Sequence, residues 1–403
     1  MRVLVLNCGS SSIKYELMDM DGGRSLARGT VAKIGESGTY IEHEAGGRRT
    51  ERRVKASDHR AGIKIIIDYL MRGSSGVIKD ASEVSAVGHR VVHGGEWFSD
   101  STLITKEVIA KIRECIPLAP LHNPHNLAGI EAAMKYFPNI PHVAVFDTSF
   151  HQTLPKEAFT YAIPYEFYEK HRIRKYGFHG TSCRYVTQRA AEMLGKNERQ
   201  LKLIVCHLGN GVTLDAIRNG RSVDASTGFT PVEGLMMGTR SGDVDPGVIH
   251  FLSTAVGLSM ERIYDMLNRE SGLLGVSGVS NDMREVIERA GKGNARCKLA
   301  VEMYAYRVKK YIGAYAAALG GTDAVVFTAG IGSNSPLIRR KACAGLEFMG
   351  VKVDPRKNRA AINTESDIST AGSEVRVLVV PTNEEKMIAL DTVEVAKKAQ
   401  ALQ

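Results

Sequence analysis

Four short apolar runs, each halted abruptly by polar residues or glycine, limit what this chain can fold into more than any other feature. They are Val3–Leu6 before Asn7-Cys8-Gly9, Val143–Phe146 before Asp147, Leu203–Cys206 before His207-Leu208-Gly209-Asn210-Gly211, and Ala324–Phe327 before Thr328-Ala329-Gly330. Unbroken aliphatic and β-branched runs of this length predict strands buried on both faces, as in parallel α/β sheets covered by helices. In open sheets of that kind ligands gather beyond the strand ends, so each run points at a candidate site. The first and third runs resemble each other, a strand followed by Asn and Gly roughly two hundred residues apart, which suggests a duplicated domain.

The intervening segments predict helices. Asn281 is placed as N-cap of a helix reaching Ala290, and Arg296–Leu319 reads as a long helix apolar on most sides. In Thr382-Asn383-Glu384-Glu385 the Thr stands three residues before a Glu, a capping box that opens a terminal helix running to Gln403. That gives Glu385 a structural task and leaves Glu384 available for chemistry. A chain of 403 residues outgrows a single hydrophobic core, so two domains with a cleft between them are expected, divided near residue 150.

Apolar residues at 43% and charged residues at 24% are ordinary for a globular chain, and no apolar run is long enough to cross a bilayer. No membrane association is expected. The six cysteines stand singly, which argues for reduced thiols and a cytoplasmic location. Lys and Arg outnumber Asp and Glu by 53 to 44, but the densest clusters, Arg52-Arg53 and Arg339-Arg340-Lys341, are short and lack interleaved aromatics. They read as solvated surface, and a nucleic-acid partner is not expected.

Asn7-Cys8-Gly9-Ser10-Ser11-Ser12-Ile13-Lys14 sets a hydroxyl-rich turn and a lysine after a buried strand, a pattern that suits phosphate oxygens and equally suits a plain hairpin. His207–Gly211 carries the same ambiguity. Arg90 and Arg240 each lie among glycines, in Gly88-His89-Arg90-Val91-Val92-His93-Gly94-Gly95 and Met237-Gly238-Thr239-Arg240-Ser241-Gly242. Planar, bidentate guanidinium groups match the charge that spreads over a migrating phosphoryl group. Asp147 closes a strand, where a carboxylate is either a turn former or a group for magnesium or proton transfer.

Taken together, the runs Asn7–Ser12 with Lys14, Gly88–Gly95, Phe178-His179-Gly180-Thr181-Ser182, Gly228-Phe229-Thr230-Pro231 through Arg240, and Thr382–Glu385 resemble those of the acetate kinase family. The resemblance extends from Met1 nearly to the C-terminus. It implies two duplicated actin-like, ribonuclease H-like α/β domains with a nucleotide cleft between them, residues 1–150 joined by a helix 386–403, and residues 151–385. It implies transfer of the ATP γ-phosphoryl group to acetate, giving acetyl phosphate and ADP, with magnesium or manganese, in a homodimer. A sister kinase for propionate is the nearest alternative, and a non-catalytic actin-like or chaperone-like nucleotide binder a distant one.

Carried over by motif, the resemblance makes Asn7 and Glu384 metal-site residues. It places Lys14, His207, Leu208, Gly209, Asn210, Gly211, Asp282, Met283, Arg284, Gly330, Ile331, Gly332, Ser333 and Asn334 around ATP. Arg90 holds the carboxylate, His179 and Arg240 stabilise the transition state with His122 nearby, and Asp147 is the acid/base residue. Val92, Leu121, Phe178 and Pro231 enclose the methyl group. Acetate is already ionised near neutral pH and needs no base, so Asp147 is better read as orienting Arg90 or a metal-bound water. The chain departs from the family pattern at Ser333, where glutamate is usual, at Cys183, where histidine is usual, and at Val212-Thr213, where a smaller pair is usual.

Overall fold

The computed structural model describes residues 1–71 and 76–401, and the chain divides into two compact units. Unit 1 is Met1–Ser149 with Asn383–Gln403, and unit 2 is Phe150–Thr382. The chain thus returns to unit 1 at Asn383, three residues before the expected position 386. Glu384 therefore belongs with Asn7 and Arg90. Leu402 and Gln403, the end of the expected terminal helix, lie outside the described residues.

Unit 1 is built on β1 (Arg2–Cys8), β2 (Ser12–Asp19), β3 (Arg24–Ala32), β4 (Tyr40–Ala45), β5 (Arg48–Arg53), β6 (Ala86–Val91), β7 (Thr102–Leu103) and β8 (His142–Phe146). They form one sheet in the order β5-β4-β3-β2-β1-β6-β8-β7. Strands β1, β6 and β8 are mutually parallel, while β1 to β5 make an antiparallel meander. Unit 2 holds β9 (Lys202–Leu208), β10 (Val212–Arg218), β11 (Arg221–Ala225), β12 (Ala324–Thr328), β13 (Ser366–Asp367) and β14 (Arg376–Val379), in the order β11-β10-β9-β12-β14-β13. Here β9, β12 and β14 are parallel, and β9 to β11 are antiparallel. The block β3-β2-β1-β6-β8 repeats as β11-β10-β9-β12-β14. This is the strand order expected of a ribonuclease H-like domain, and it occurs twice.

The continuous apolar runs follow from burial on both faces. Along β1, Val3 and Val5 pack with Ile388 and Ala389 of the helix Glu384–Ala401, while Leu4 and Leu6 pack against the side carrying the helices His59–Met71 and Asn123–Tyr136. Along β9, Leu203 and Val205 meet the helix Gly180–Leu194, while Ile204 and Cys206 meet the helix Ala295–Leu319. With side chains alternating and both sides covered, no position can be polar. Each fully buried Val or Leu contributes roughly 1.5–3 kcal/mol. Gly88 on β6 is required by the terminal helix, because a Cβ there would lie 2.3 Å from Thr392 Oγ1.

Two caps differ from the sequence reading. The terminal helix is capped by Asn383, whose Oδ1 accepts from the Lys386 amide at 2.9 Å, not by a Thr382–Glu385 box. The Thr382 hydroxyl instead bonds Ser182 Oγ at 2.7 Å, which removes it from capping duty. The helix Met283–Gly291 is capped by Asp282 rather than Asn281, whose amide is engaged with Asn210 Oδ1 at 3.0 Å. A carboxylate is an equally good cap, so the local pattern did not separate the two. All six cysteines are buried and free.

Candidate active site

In unit 1 the adjacent parallel strands β1, β6 and β8 bring Asn7, Arg90 and Asp147 together at their C-terminal ends. Arg90 Nε donates to Asp147 Oδ1 at 3.0 Å, its Nη2 donates to Asp147 Oδ2, and its Nη1 donates to Asn7 Oδ1 at 3.0 Å. Burial alone pulls the Arg90 pKa down, but Asp147, Glu384 and Glu385 more than offset it and hold the guanidinium above its ordinary value. Glu384 opens the terminal helix, half-buried beside this group. Burial pushes its carboxyl up to about 7, with Asp147 and Glu385 adding to the shift and Arg90 and Lys14 opposing it. Lys14 is exposed on β2 directly opposite Asn7.

The surroundings of Arg90 are locked by buried amides absent from the sequence reading. Asn126 Oδ1 accepts from the Val92 amide at 3.0 Å and its Nδ2 donates to the Cys8 carbonyl at 2.8 Å, tying the first strand end to the segment after β6. Asn123 grips the backbone of His93 in the same way. His59 Nε2 lies 2.6 Å from the Gly9 carbonyl and its ring stacks on His125. The sequence signal for Asn123 and Asn126 was slight, two amides three residues apart around Pro124 and His125 at the start of a helix. Val92 is buried, Leu121 half-buried, and His122 sits at the N-cap of the helix Asn123–Tyr136 without making a side-chain cap bond.

In unit 2 His179 takes a left-handed conformation, φ 58°, just ahead of the helix Gly180–Leu194. Its Nδ1 meets Thr213 Oγ1 at 2.8 Å, and its ring stacks on His207 with centroids 4.3 Å apart. A Cβ at Gly211 would lie 3.0 Å from the His179 ring and 3.4 Å from Arg240 Nη1, so the Gly211 turn, His179 and Arg240 converge. Among the described residues no carboxylate pairs with Arg240, whose pKa is lowered by burial. Such a half-buried, unpaired guanidinium is costly unless an anion answers it. Phe178 is buried and Pro231 half-buried in the same unit.

A cavity of about 820 Å³ in unit 2 is lined by Gly209, Asn210, Asn281, Asp282, Met283, Arg284, Ile287, Gly330, Ile331, Asn334, Ser335, Pro336 and Leu337. Most of the expected ATP residues therefore surround one space of cofactor size. Leu208, Gly332 and Ser333 do not line it. Leu208 faces the core because it continues the β9 alternation, and Ser333 is buried, its hydroxyl without a hydrogen-bond partner among the described residues. His207 and Gly211 stand on the His179 side, and Lys14 lies in unit 1. Both glycine turns are β-hairpin turns, closed by Gly9 N–H to Ser12 O at 2.8 Å and Gly209 N–H to Gly211 O at 3.0 Å.

The sequence profile of the acetokinase family matches residues 2–390. The chain is 55% identical over 400 residues to the acetate kinase of Thermotoga maritima, covering 99% of both proteins. The chain belongs to the acetokinase family. Its structure is similar to that of Porphyromonas gingivalis acetate kinase, with a TM-score of 0.94 at 51% identity, over 98% of this chain and 99% of that one. It is also similar to a propionate kinase from Francisella tularensis, with a TM-score of 0.92 at 42% identity over the same shares.

Against the acetokinase pattern, Thr213 has a clear role, since its hydroxyl is the partner of His179 Nδ1. Cys183 is fully buried, and its thiol faces Asp215. For a metal, no cluster of three or more His, Cys, Asp or Glu side chains stands ready among the described residues. Magnesium binds through one or two protein oxygens together with substrate phosphates and water. Glu384, in a group where Asp147 and Glu385 crowd negative charge, and Asn7 Oδ1, the acceptor of Arg90 Nη1, are oxygens of the kind that donor set uses.

Proposed function

We propose that this acetokinase-family enzyme transfers the γ-phosphoryl group of ATP to acetate, reversibly, by direct in-line attack of a carboxylate oxygen on phosphorus. The observation that carries the reading is the Arg90 fork. In a chain that matches the family from residue 2 to residue 390, Arg90 is held rigidly by Asp147 and Asn7 beside the buried Val92.

Arg90 binds the acetate carboxylate and neutralises its charge, which otherwise repels the phosphate. Asp147 acts by fixing the guanidinium plane, because an ionised acetate offers no proton to remove. Arg240 and His179 stabilise the charge that builds on the migrating group, and an unpaired Arg240 suits that task because no protein anion competes for it. His122 assists them. The cavity lined by Asp282, Met283, Arg284, Gly330, Ile331 and Asn334 takes the nucleotide, and Lys14 and the turn His207–Gly211 serve its phosphates. Val92, Leu121, Phe178 and Pro231 limit the acceptor to a short chain, acetate before propionate. Magnesium, or manganese in its place, would be held by Asn7 and Glu384 and supplies Lewis-acid charge neutralisation at the phosphate oxygens.

The enzyme works in the cytoplasm as a homodimer. Support for reduced surroundings is the six free, buried thiols, and no helix among the described residues is long and apolar enough to cross a membrane. Support for a second copy of this chain is the pair of helices Pro246–Thr254 and Met260–Arg269. The first buries no residue, and Phe251 and Met260 are each 61% exposed with Val248, Val256 and Tyr264 near them in sequence. An apolar helix that its own chain covers only in part marks an interface.

The deciding experiment is acyl phosphate formation trapped as the hydroxamate, with acetate, propionate and butyrate, with and without magnesium. Magnesium-dependent product, greatest with acetate and ATP, is expected. ATP binding with no product from any acceptor would overturn the reading.

A further inference from the structure

A fully buried polar file runs through unit 2 without touching the cavity. Asp215 on β10, Ser222 on β11 and His151 just after the start of the unit are all 0% exposed. Ser222 Oγ lies 2.7 Å from Asp215 Oδ1 and 2.9 Å from His151 Nδ1, and His151 Nε2 lies 3.0 Å from the Phe178 carbonyl oxygen. Gly177, at φ +78°, lets the chain rest on the imidazole, since a Cβ there would lie 2.6 Å from His151 Cγ. The Phe178 amide donates to Thr227 Oγ1 at 2.9 Å. Phe178, the residue before His179, is therefore held at its N–H by Thr227 and at its C=O, in the peptide that delivers His179, by His151.

The hydrogens of this file can be assigned by elimination. A carbonyl oxygen only accepts, so His151 Nε2 carries a proton. A neutral imidazole then has a bare Nδ1, which needs the single Ser222 hydroxyl hydrogen. With that hydrogen committed, the Ser222–Asp215 contact requires a donor on Asp215, a protonated carboxyl. Burial acts in the same direction at both ends, lowering the His151 pKa to about 4 and raising Asp215 well above the carboxylate range. The other arrangement, imidazolium beside carboxylate across the 3.7 Å between Nδ1 and Asp215 Oδ2, places two charges where no solvent reaches.

We propose that Asp215, Ser222 and His151 form a neutral, one-directional hydrogen-bond chain that fixes the Phe178–His179 peptide, making His151 a positioning residue for His179. The proposal rests on the transition-state role given to His179 above. At Cys183 the thiol bonds the Asp215 carboxyl and pulls its pKa down, but burial outweighs it and keeps the carboxyl raised.

Nitrogen-15 NMR of selectively labelled enzyme between pH 6 and 8 tests the assignment without any variant. The expected spectrum has one His151 nitrogen protonated and one bare, with the proton on Nε2. An imidazolium, or a proton on Nδ1, would overturn it. Kinetics test the positioning. His151→Leu is expected to lower kcat about 100-fold, the cost of misplacing a transition-state group by roughly 1 Å, with KM for acetate and ATP little changed. His151→Gln, whose amide nitrogen can replace Nε2–H, should recover part of that loss. Full kcat in His151→Leu, or no difference between the two variants, would overturn the positioning role. If His151→Leu does not fold, Ser222→Ala with the same kcat against KM readout replaces it. Failure of the His179 reading is distinct: His179→Ala would then keep full kcat while the His151 spectrum remained as assigned.

Discussion

Arg90 and Asp147 meet as a two-pronged ion pair between neighbouring parallel strands, Nε to Oδ1 at 3.0 Å and Nη2 to Oδ2, with the carboxylate side chain 2% exposed. The geometry makes Asp147 a clamp on the guanidinium. Neither strand end contains both residues, so the pair exists only because β6 and β8 are neighbours.

Arg90→Ala should therefore do two separable things. It leaves Asp147 buried without a counter-charge, at a stability cost of about 3–5 kcal/mol. It also removes the charge proposed to bind acetate, lowering kcat by ~10²–10³-fold. Circular dichroism melts and turnover measure the two independently, and near-normal turnover would sink the proposed role.

Arg240→Ala is expected to show the opposite balance. Turnover falls by ~10²–10³-fold, but no protein carboxylate loses a partner, so the melting temperature should hold or rise. A large drop in melting temperature would mean that Arg240 is a structural cation.

Val92→Ala should enlarge the proposed acceptor pocket while the Asn126 bond to the residue 92 amide is kept. The ratio of kcat/KM for propionate over acetate should rise about tenfold, within the ~1–3 kcal/mol that one methylene can command. An unchanged ratio would remove Val92 from the pocket.

Acid should destabilise the fold through its buried histidines, against an opposite contribution from the Asp215 and Glu384 carboxyls, whose raised pKa values let the folded chain hold protons the unfolded chain gives up. Burial lowers the pKa of His93 to about 3, His151 to about 4 and His89 well below the ordinary 6.5. Between 6.5 and those values the unfolded chain binds protons that the folded one refuses, so stability is lost as pH falls. Each such histidine contributes a slope of about 1.4 kcal/mol per pH unit. Urea midpoints measured from pH 7.5 down to 5 test this, and His151→Gln should make the slope shallower.

Phe251→Asp should split the proposed dimer while leaving the monomer folded, because Phe251 is 61% exposed and the helix Pro246–Thr254 has no fully buried residue. Sedimentation velocity reads the outcome. A monomeric parent enzyme, or a dimer indifferent to the change, would discard this face.

Much of the architecture is written locally. Val3–Leu6, Val143–Phe146, Leu203–Cys206 and Ala324–Phe327 declare doubly covered strands because both faces of each must be apolar, and their abrupt polar ends place Asn7, Asp147 and the His207–Gly211 turn at strand ends. The likeness of the first and third runs reflects the repeated strand order. The exposed strand β5, Arg-Arg-Thr-Glu-Arg-Arg, was not legible, since it buries almost nothing and is a strand only because β4 pairs with it.

What only the tertiary structure decided depends on partners distant in the chain. Asn383 displaced Thr382 as helix cap because Ser182, two hundred residues away, engages the Thr382 hydroxyl. Asn126 became a tie between Cys8 and Val92, and His151 a support for Phe178, through contacts no local pattern encodes. A hydrophobic period is a property of neighbouring residues and can be read from them. The partner of a buried hydrogen bond is fixed only when the strands and helices have packed.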